Sequence, residues 1–516
     1  MKAALFALLA AASVPALAQH QNHADMVAPQ SAMILPGYGD GGFPIITSNA
    51  QAQAFFDNGM QLAHAFAHDA AVTAMKEAER LDPSCAMCAW GEAWAGGPTI
   101  NFGKNKKELK PLIKSAKRAV KLARANGNPT EIALIDALVV RYRNGGGHEQ
   151  GDMAFAVAMD SLARANPAND EFATIAADAW LQAPAEGDAA EKTNLLRSLA
   201  LLEPVLARRP NYTPAIHFYI HATEQYGEGP RAEPYANRLA ALAPNSSHLV
   251  HMPSHTFYWV GRYQEAADVN RRAVEIGIAQ ARAMHVPPPE GVWGLPYHGH
   301  NVVFGLGGAL MAGDKDTALW LARPLVERAA AQDKSPPYSQ ALGGGGYVAM
   351  ALFAEPSEML SLAAPKLPYL LGMWHYARGE AYARTGDIAA LEREMNAIAV
   401  PDAKRGAEDF SWQASQTLKI AQKVLDGRAK MLRGQFGAAV TAFATGAALQ
   451  EEEDFTEAAD PPLWRSPVRR ELALAKFAAG DLAGARVEAQ ATMKVRPKDP
   501  GALALLAKLD AKSAAR

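Results

Sequence analysis

Histidines are concentrated in one stretch of this sequence. Eight of the chain's fourteen histidines lie between His217 and His300. Two pairs, His217/His221 and His251/His255, have i, i+4 spacing, which places both imidazoles of a pair on one helix face, one turn apart. Imidazoles gathered in this way are ligands for transition metals such as copper and zinc. The pattern therefore predicts a metal site carried on helices.

The same stretch offers further groups suited to chemistry. His248 lies one helical turn before His251 and is a candidate ligand or helix cap. Glu224 follows His221 by three residues, so its carboxylate is a candidate ligand, a partner that orients an imidazole, or a general base. Tyr297 lies beside a histidine and is a candidate redox residue. The predicted metal ligands are His217, His221, His251, His255, His298, His300, His68 and His248, and the predicted catalytic residues are Glu224 and Tyr297.

Paired helices are the elements that must position these side chains. Between Ala52 and Pro83 the sequence follows the ~34-residue tetratricopeptide pattern, in which small residues let two helices pack closely and a proline ends the second. The matching positions are Phe55, Gly59, Leu62, Ala71, Met75, Ala78 and Pro83. The Gly-x-Tyr-x-x-Ala turn of the pattern begins at Gly261, and a similar turn follows Tyr382. These recurrences predict a stack of helix pairs with insertions.

The chain thus resembles tetratricopeptide-repeat proteins. More narrowly, it resembles an exported bacterial family of such proteins through its LDPSCAMCAWGEA, HFYIHATE, HMPSHTFYWVGRYQEA and YHGHN segments. The resemblance implies an all-α fold, a tetratricopeptide-like helical-repeat superhelix of stacked antiparallel helix pairs. In such a stack the first helix of each pair lines a concave groove, so the histidine pairs are expected to converge there. The broader family mostly binds protein partners through asparagine, lysine and arginine, and histidine-rich groove helices depart from that pattern.

Two segments are predicted to interrupt the helices. Residues 285–297 cannot be helical, because three consecutive prolines fix the backbone and remove amide donors. This rigid loop would deliver Tyr297, His298 and His300 to the start of the next helix. The run of four glycines at 343–346 predicts a second break.

The first 18 residues have the pattern of a signal peptide, with Lys2 before an apolar run and a small-x-small cleavage site ending at Ala18. The mature chain is expected to begin at Gln19 and to be periplasmic or secreted. The predicted layout is a signal peptide (1–18), a flexible arm (19–47), N-terminal repeats that carry the histidine-rich site (48–335) and C-terminal repeats (336–516). No later apolar run is long enough to predict a membrane span.

Composition and cysteine content limit the partners and cofactors. The net charge of −2 and pI of about 6.7 argue against nucleic-acid binding. The only cysteines, Cys85 and Cys88, are expected within one helix, where a disulfide between them is geometrically awkward. They remain candidates for core packing, for a disulfide or for ligands of a soft metal. Since Ala89 follows the pair, the motif for c-type haem attachment is incomplete.

These observations favour a copper site, with zinc or iron as alternatives. Six or more neutral nitrogen donors with few carboxylates suit copper better than magnesium or calcium. The favoured function is oxygen-dependent oxidation of a small organic substrate in the groove. One alternative is a periplasmic metal carrier or assembly factor, and another is a metal-free scaffold whose histidines are core residues and whose groove binds a partner protein. The number of ions, the substrate and the oligomeric state are left open by the sequence.

Overall fold

The computed structural model describes residues 32–143, 150–288, 290–405, 410–456 and 461–514. The predicted signal peptide and residues 19–31 of the predicted arm lie outside the described residues. Within these ranges the chain is helical and contains no β-strand, so the predicted all-α class is confirmed. None of the helices in the described ranges is both long enough and apolar enough to cross a lipid bilayer.

The helices follow one another through mostly short connections, an arrangement that makes consecutive helices antiparallel neighbours. From the N-terminus they are α1 (Ala50–His64), α2 (His68–Leu81), α3 (Ala86–Ala95), α4 (Lys106–Asn126), α5 (Pro129–Arg141), α6 (Gln150–Ala165), α7 (Asp170–Gln182), α8 (Asp188–Arg208), α9 (Thr213–Gln225), α10 (Glu233–Leu242), α11 (Ser247–His251) and α12 (Pro253–Trp259). The chain continues with α13 (Tyr263–Ala283), α14 (His298–Ala312), α15 (Lys315–Ala331), α16 (Pro337–Phe353), α17 (Pro356–Ser361), α18 (Pro368–Thr385), α19 (Ile388–Ala397), α20 (Ser411–Leu432), α21 (Phe436–Gln450), α22 (Glu453–Thr456), α23 (Val468–Ala478), α24 (Leu482–Val495) and α25 (Pro500–Ala514). Short 3-10 turns lie at Gly229–Ala232 and Gly291–Gly294.

The described chain divides into two compact units. The first unit comprises residues 32–256 and 272–298, and the second comprises residues 257–271 and 299–514. In the first unit each helix from α1 to α10 packs against the next, and in the second unit the same holds for most neighbours from α15 to α25. Both units are therefore built from stacked helix pairs of the tetratricopeptide kind. The boundary predicted at residue 335 falls inside the second unit.

The first helix pair shows why the repeat pattern folds as it does. Asn49 caps α1 by accepting hydrogen bonds from the amides of Gln51 and Ala52. The pair closes around Met75, which is fully buried. A Cβ atom added at Gly59 would lie 2.7 Å from the Met75 Cε atom, so glycine is what lets α1 and α2 approach this closely. The tetratricopeptide spacing read from the sequence is thus confirmed in this pair.

Residues 32–47 belong to the segment predicted as a flexible arm, and they pack against helices of the first unit, of which they are part. The backbone N–H of Leu35 donates to Asn58 Oδ1 at 2.9 Å, and the Asn58 amide donates back to the Leu35 carbonyl at 2.8 Å. The ring of Phe43 packs edge-on against Phe56 at a centroid distance of 5.1 Å. Composition alone did not predict these contacts because their partners lie far along the chain or on helix faces formed only after folding.

The four glycines at 343–346 do not break a helix, and that prediction is wrong. They lie in the middle of α16 and are buried there. Glycine costs up to about 1 kcal/mol relative to alanine in a helix interior. In this helix the missing side chains make room for neighbours: an added Cβ at Gly344 would lie 2.4 Å from the Tyr369 hydroxyl oxygen. Close packing of other groups against the α16 backbone therefore offsets the low helix propensity.

The two cysteines also differ from expectation. Cys85 has extended backbone angles and caps the N-terminus of α3, so only Cys88 lies in the helix. This geometry brings the Cα atoms to 5.4 Å, and the two residues form a disulfide. The prediction that both lie on one helix is wrong, because the helix begins one residue later than the pattern suggested. Both cysteines are fully buried.

Candidate metal centre

Three short stretches of helix in the first unit carry the central histidines. His217, His221 and Glu224 lie on α9, His248 and His251 on α11, and His255 on α12. Met252 has helical backbone angles (φ −50°, ψ −37°). The chain therefore continues its helical course into α12 despite the proline that follows, and His251 and His255 stay one turn apart.

His217 on α9 and His248 on α11 lie against each other, with their Nε2 atoms 3.0 Å apart. The Nδ1 atom of His217 lies 2.8 Å from the backbone carbonyl of His64 and donates its proton there. His217 is fully buried, and this burial lowers its pKa to about 3 because the charged form loses its hydration. His217 is thus a neutral imidazole whose Nε2 lone pair points toward His248.

His221 completes a group of three imidazoles. One ring nitrogen from each of His217, His221 and His248 lies within 4.8 Å of the others, and all three residues are buried. Copper and zinc hold imidazole nitrogens at about 2.0–2.1 Å, so two nitrogens on one ion lie roughly 3–4 Å apart. The 4.8 Å limit on the three separations exceeds that range by less than 1 Å. The donor set fits a transition metal ion.

A second histidine pair extends this group within the first unit. The Nε2 atoms of His251 and His255 lie 3.0 Å apart. The Nδ1 atom of His255 lies 2.8 Å from both carboxylate oxygens of Glu224. The ring of His255 is 5.5 Å from that of His221, measured between centroids. Glu224 therefore holds the Nδ1 proton of His255 and turns its Nε2 lone pair toward His251, which is the arrangement typical of metal-binding histidines.

Phe66, in the turn between α1 and α2, supports the histidines and was not predicted from the sequence. Its ring stacks on His248 at 4.8 Å and meets His217 edge-on at 4.5 Å. Its φ of 57° lies in the left-handed region, which costs a bulky residue about 1–3 kcal/mol. His285 (φ 54°) and Tyr297 (φ 65°) are held in the same region. Such strain is concentrated at functional sites, but the Ala–Phe–Ala sequence carries no signal for it.

Tyr297 lies against the imidazoles, as its position beside a histidine suggested. Its ring is 4.4 Å from that of His248, and its hydroxyl accepts a hydrogen bond from the Asn101 amide at 3.4 Å. Burial raises the pKa of the Tyr297 hydroxyl above its usual value, so the phenol keeps its proton at neutral pH.

His68 and His298 lie at the edge of this group in the first unit. His68 is the first residue of α2 and bonds the Ala95 carbonyl through Nδ1 at 3.0 Å. His298 begins α14 and meets Trp293 edge-on at 4.8 Å. Burial lowers the pKa of His298 to about 4, which keeps its imidazole neutral. His300 belongs to the second unit, where its ring lies 4.9 Å from Phe304.

A cavity of about 720 Å³ in the first unit adjoins the histidines. Its wall includes His248, Phe66 and Tyr297 on one side, and residues of the 32–38 segment and of α13 elsewhere. The described residues that line it are mainly apolar and aromatic, and none of them is a lysine or arginine. The cavity volume is that of a site for a small organic molecule.

A buried chain of polar groups holds the backbone of His64, which in turn orients His217. The Nε2 atom of His64 lies 2.6 Å from a carboxylate oxygen of Glu171, and the Tyr212 hydroxyl donates to the other oxygen. These three side chains are at most 4% exposed. Their hydrogen bonds fix the position of the end of α1. They therefore also position the His64 carbonyl, which accepts the hydrogen bond from His217 Nδ1.

Comparison with known proteins adds little to this picture. No protein-family model matches the sequence, and no curated protein matches it. Among solved structures, the chain is similar to the Cut9–Hcn1 hetero-tetramer of the APC/C at 14% identity, covering 89% of this chain and 76% of that one, with a TM-score of 0.31. It is also similar to the human IFIT1 dimer with m7Gppp-AAAA (12% identity, 83% and 90% covered, TM-score 0.30) and to yeast Tom70 (10% identity, 90% of each chain covered, TM-score 0.26). Similarity this low supports no conclusion about function.

Proposed function

We propose that this protein is an exported tetratricopeptide-like protein that binds copper through His217, His221 and His248, with a second ion held in part by His251 and His255. The contact between the His217 and His248 Nε2 atoms carries this proposal. His217 donates a hydrogen bond from Nδ1 to a backbone carbonyl, so its Nε2 atom carries an unprotonated lone pair in a buried site. A metal ion is a partner that suits ring nitrogens converging in this way.

Copper is preferred because the donors are neutral nitrogens. An imidazole set of this kind favours copper over the neighbouring divalent metals, and zinc and iron are the competing ions. Five imidazoles exceed the four ligands of a typical tetrahedral site, which supports two ions rather than one. The resemblance to an exported bacterial family supports delivery to a compartment outside the cytoplasm.

The reaction we propose is oxygen-dependent oxidation of a small, neutral organic molecule in the 720 Å³ cavity. Bound copper supplies one-electron steps between substrate and oxygen. In this chain Phe66 and Tyr297 would stack against a flat substrate, since both rings line the cavity and contact His248. Glu224 orients His255 and is placed to take up its Nδ1 proton.

Metal analysis tests the binding step. Purified metal-free protein would be titrated separately with Cu²⁺, Zn²⁺ and Fe²⁺, and bound metal would be measured after gel filtration. We expect Cu²⁺ to bind most tightly, His217→Ala to lose tight binding, and His375→Ala to keep it. His375 is a suitable control because it is a half-buried histidine on α18 that also bonds a glutamate, Glu394, at 2.7 Å. Wild-type protein that holds no metal after loading would contradict the proposal.

Oxygen uptake tests the catalytic step. Copper-loaded wild-type protein would be supplied with catechol or hydroquinone in an oxygen electrode, with Tyr297→Phe and metal-free protein measured alongside. Turnover by the loaded protein alone supports an oxidase. Tight copper binding without oxygen uptake would instead support a metal carrier.

A further inference from the structure

Arg465, in the second unit, is a buried cation to which the described residues supply no counter-ion. The residue is 3% exposed and lies in a non-helical buried segment at residues 461–467. Among the described residues, no carboxylate forms an ion pair with it and no group accepts a hydrogen bond from its guanidinium. Its Nε atom is both buried and unpartnered. An isolated buried charge of this kind strongly disfavours the folded state unless something compensates it.

Another buried arginine in the same chain shows what compensation looks like. Arg141 is 2% exposed, and its Nε atom donates to Asp152 at 2.7 Å. Its terminal nitrogen also donates to Gln182 at 2.6 Å and to the Pro98 carbonyl at 3.2 Å. Arg141 is therefore a structural arginine with three acceptors, one of them a carboxylate. Arg465 has the same burial and none of these partners.

The surroundings of Arg465 are built to admit the guanidinium. A Cβ atom at Gly345 would lie 2.5 Å from Arg465 Nη1 and 3.3 Å from a methyl group of Leu306. The glycine run in α16 thus leaves the space that the guanidinium occupies. The Trp464 carbonyl accepts a hydrogen bond from Gln450 at 2.9 Å, which fixes the segment next to Arg465. A chance burial would not require both a cleared helix surface and an anchored loop.

The polar groups that surround Arg465 are the hydroxyls of tyrosines. Tyr258, Tyr338 and Tyr369 are close enough to Arg465 to interact with its charge. Burial raises the pKa of the Tyr369 hydroxyl, so this phenol is neutral and provides no negative charge. Burial also lowers the pKa of Arg465, but a guanidinium stays charged at neutral pH.

We propose that Arg465 binds a small organic monocarboxylate in the second unit, with the apolar part of the ligand resting on the surrounding tyrosine rings. The planar guanidinium matches the two oxygens of a carboxylate. The single positive charge of Arg465 is balanced by one negative charge. A phosphate dianion would leave one negative charge buried and unbalanced. This site is independent of the metal proposal, because it lies in the other unit and uses none of its residues.

Binding would be tested on metal-free full-length protein, so that carboxylate binding to a metal plays no part. Thermal midpoints and calorimetric titrations would be measured with benzoate, acetate, phosphate and chloride at constant ionic strength. We expect a saturable rise in the midpoint with benzoate, a smaller rise with acetate, and no more effect from phosphate than from chloride. A phosphate response that exceeds the benzoate response would overturn the ligand class.

Variants locate the response. Arg465→Met should lose benzoate binding, and Arg465→Lys should weaken it by about tenfold or more, because lysine cannot offer two parallel donors. Arg323→Met is the matched control: this exposed arginine of the same unit pairs with Glu358 at 2.8 Å, and its loss should leave benzoate binding unchanged. If Arg465→Met does not fold, Gly345→Ala gives a second test, since its Cβ must displace the guanidinium and weaken binding. Absence of a carboxylate response in wild-type protein, or its persistence in a folded Arg465→Met variant, would overturn the proposal.

Discussion

Replacing Glu224 by glutamine tests the metal centre at its outer partner rather than at a ligand. Glu224 is 15% exposed at its side chain and lies 2.8 Å from His255 Nδ1 through both oxygens. Glutamine keeps the size and one acceptor oxygen but loses the charge that holds the Nδ1 proton. Loss of such a partner weakens metal binding by about 10- to 100-fold, or roughly 1.4–2.8 kcal/mol. The free energy of unfolding of the metal-free protein should fall by less, about 1 kcal/mol, because a neutral hydrogen bond to His255 remains.

The assay is a copper titration that resolves two binding events. In Glu224→Gln the event assigned to His251 and His255 should weaken, while the event assigned to His217 should stay within a few-fold of wild type. Glu394→Gln is the matched control, since Glu394 bonds His375 in the second unit at 2.7 Å and lies outside the proposed centre. Its copper binding should equal that of the wild-type protein.

Two results would refute this reasoning. If Glu224→Gln binds copper as tightly as the wild-type protein at every site, the contact with His255 does not orient a ligand. If Glu224→Gln and Glu394→Gln weaken copper binding equally, the effect reports general destabilisation rather than an outer partner of a metal ligand.

Three further predictions concern stability and processing. The buried carboxylate of Asp178 has a pKa raised from 3.8 to about 6 by burial, so its ionisation opposes folding above pH 6 and the penalty disappears below pH 3.8. Asp178→Asn should therefore raise the free energy of unfolding by up to about 3 kcal/mol above pH 6 and leave it unchanged at acid pH, as measured by urea denaturation. An equal gain at both pH values would show that ionisation of Asp178 is not the cause. Gly308→Ala should lower the free energy of unfolding by about 1–3 kcal/mol, because its Cβ would lie 2.7 Å from a backbone nitrogen. Gly437→Ala has open space around its Cβ and should raise the free energy of unfolding by about 0.5–1 kcal/mol. Thermal melts that shift in the same direction for both variants would refute this packing argument. Mass spectrometry of the protein recovered from outside the cytoplasm should show a mature chain that begins at Gln19, and an intact N-terminus would contradict export by a cleaved signal peptide.

The helical architecture was predictable from local signals. The spacing of Gly59, Ala71 and Ala78 predicts close packing between two helices. Both helices belong to one repeat, so the residues that pack together are near one another in the sequence. The positive φ of Gly386 (79°) and of Gly480 (85°) between paired helices follows from the same local pattern. The i, i+4 histidine pairs were likewise readable, because helix periodicity alone puts them on one face.

One error arose where long-range contacts outweigh a local preference, and the other arose from the exact start of a helix. Four glycines predict a break on propensity, but Tyr369 and Arg465 pack against the glycine backbone of α16 and keep the helix intact. Cys85 and Cys88 form a disulfide because the start of α3 leaves one of them in extended conformation, a difference of one residue that spacing does not resolve.

The sequence by itself determined that this protein is a stack of helix pairs and that its histidines are clustered, since both follow from residue types at helical spacing. Only the tertiary structure decided which nitrogens face one another. The His64 carbonyl directs the lone pair of His217 across 153 positions of sequence, and Glu224 does the same for His255. The tertiary structure also buries Arg465 where no carboxylate of the described residues pairs with it. Hydrogen-bond partners and charge balance depend on groups brought together by folding, and no periodicity in the chain encodes them.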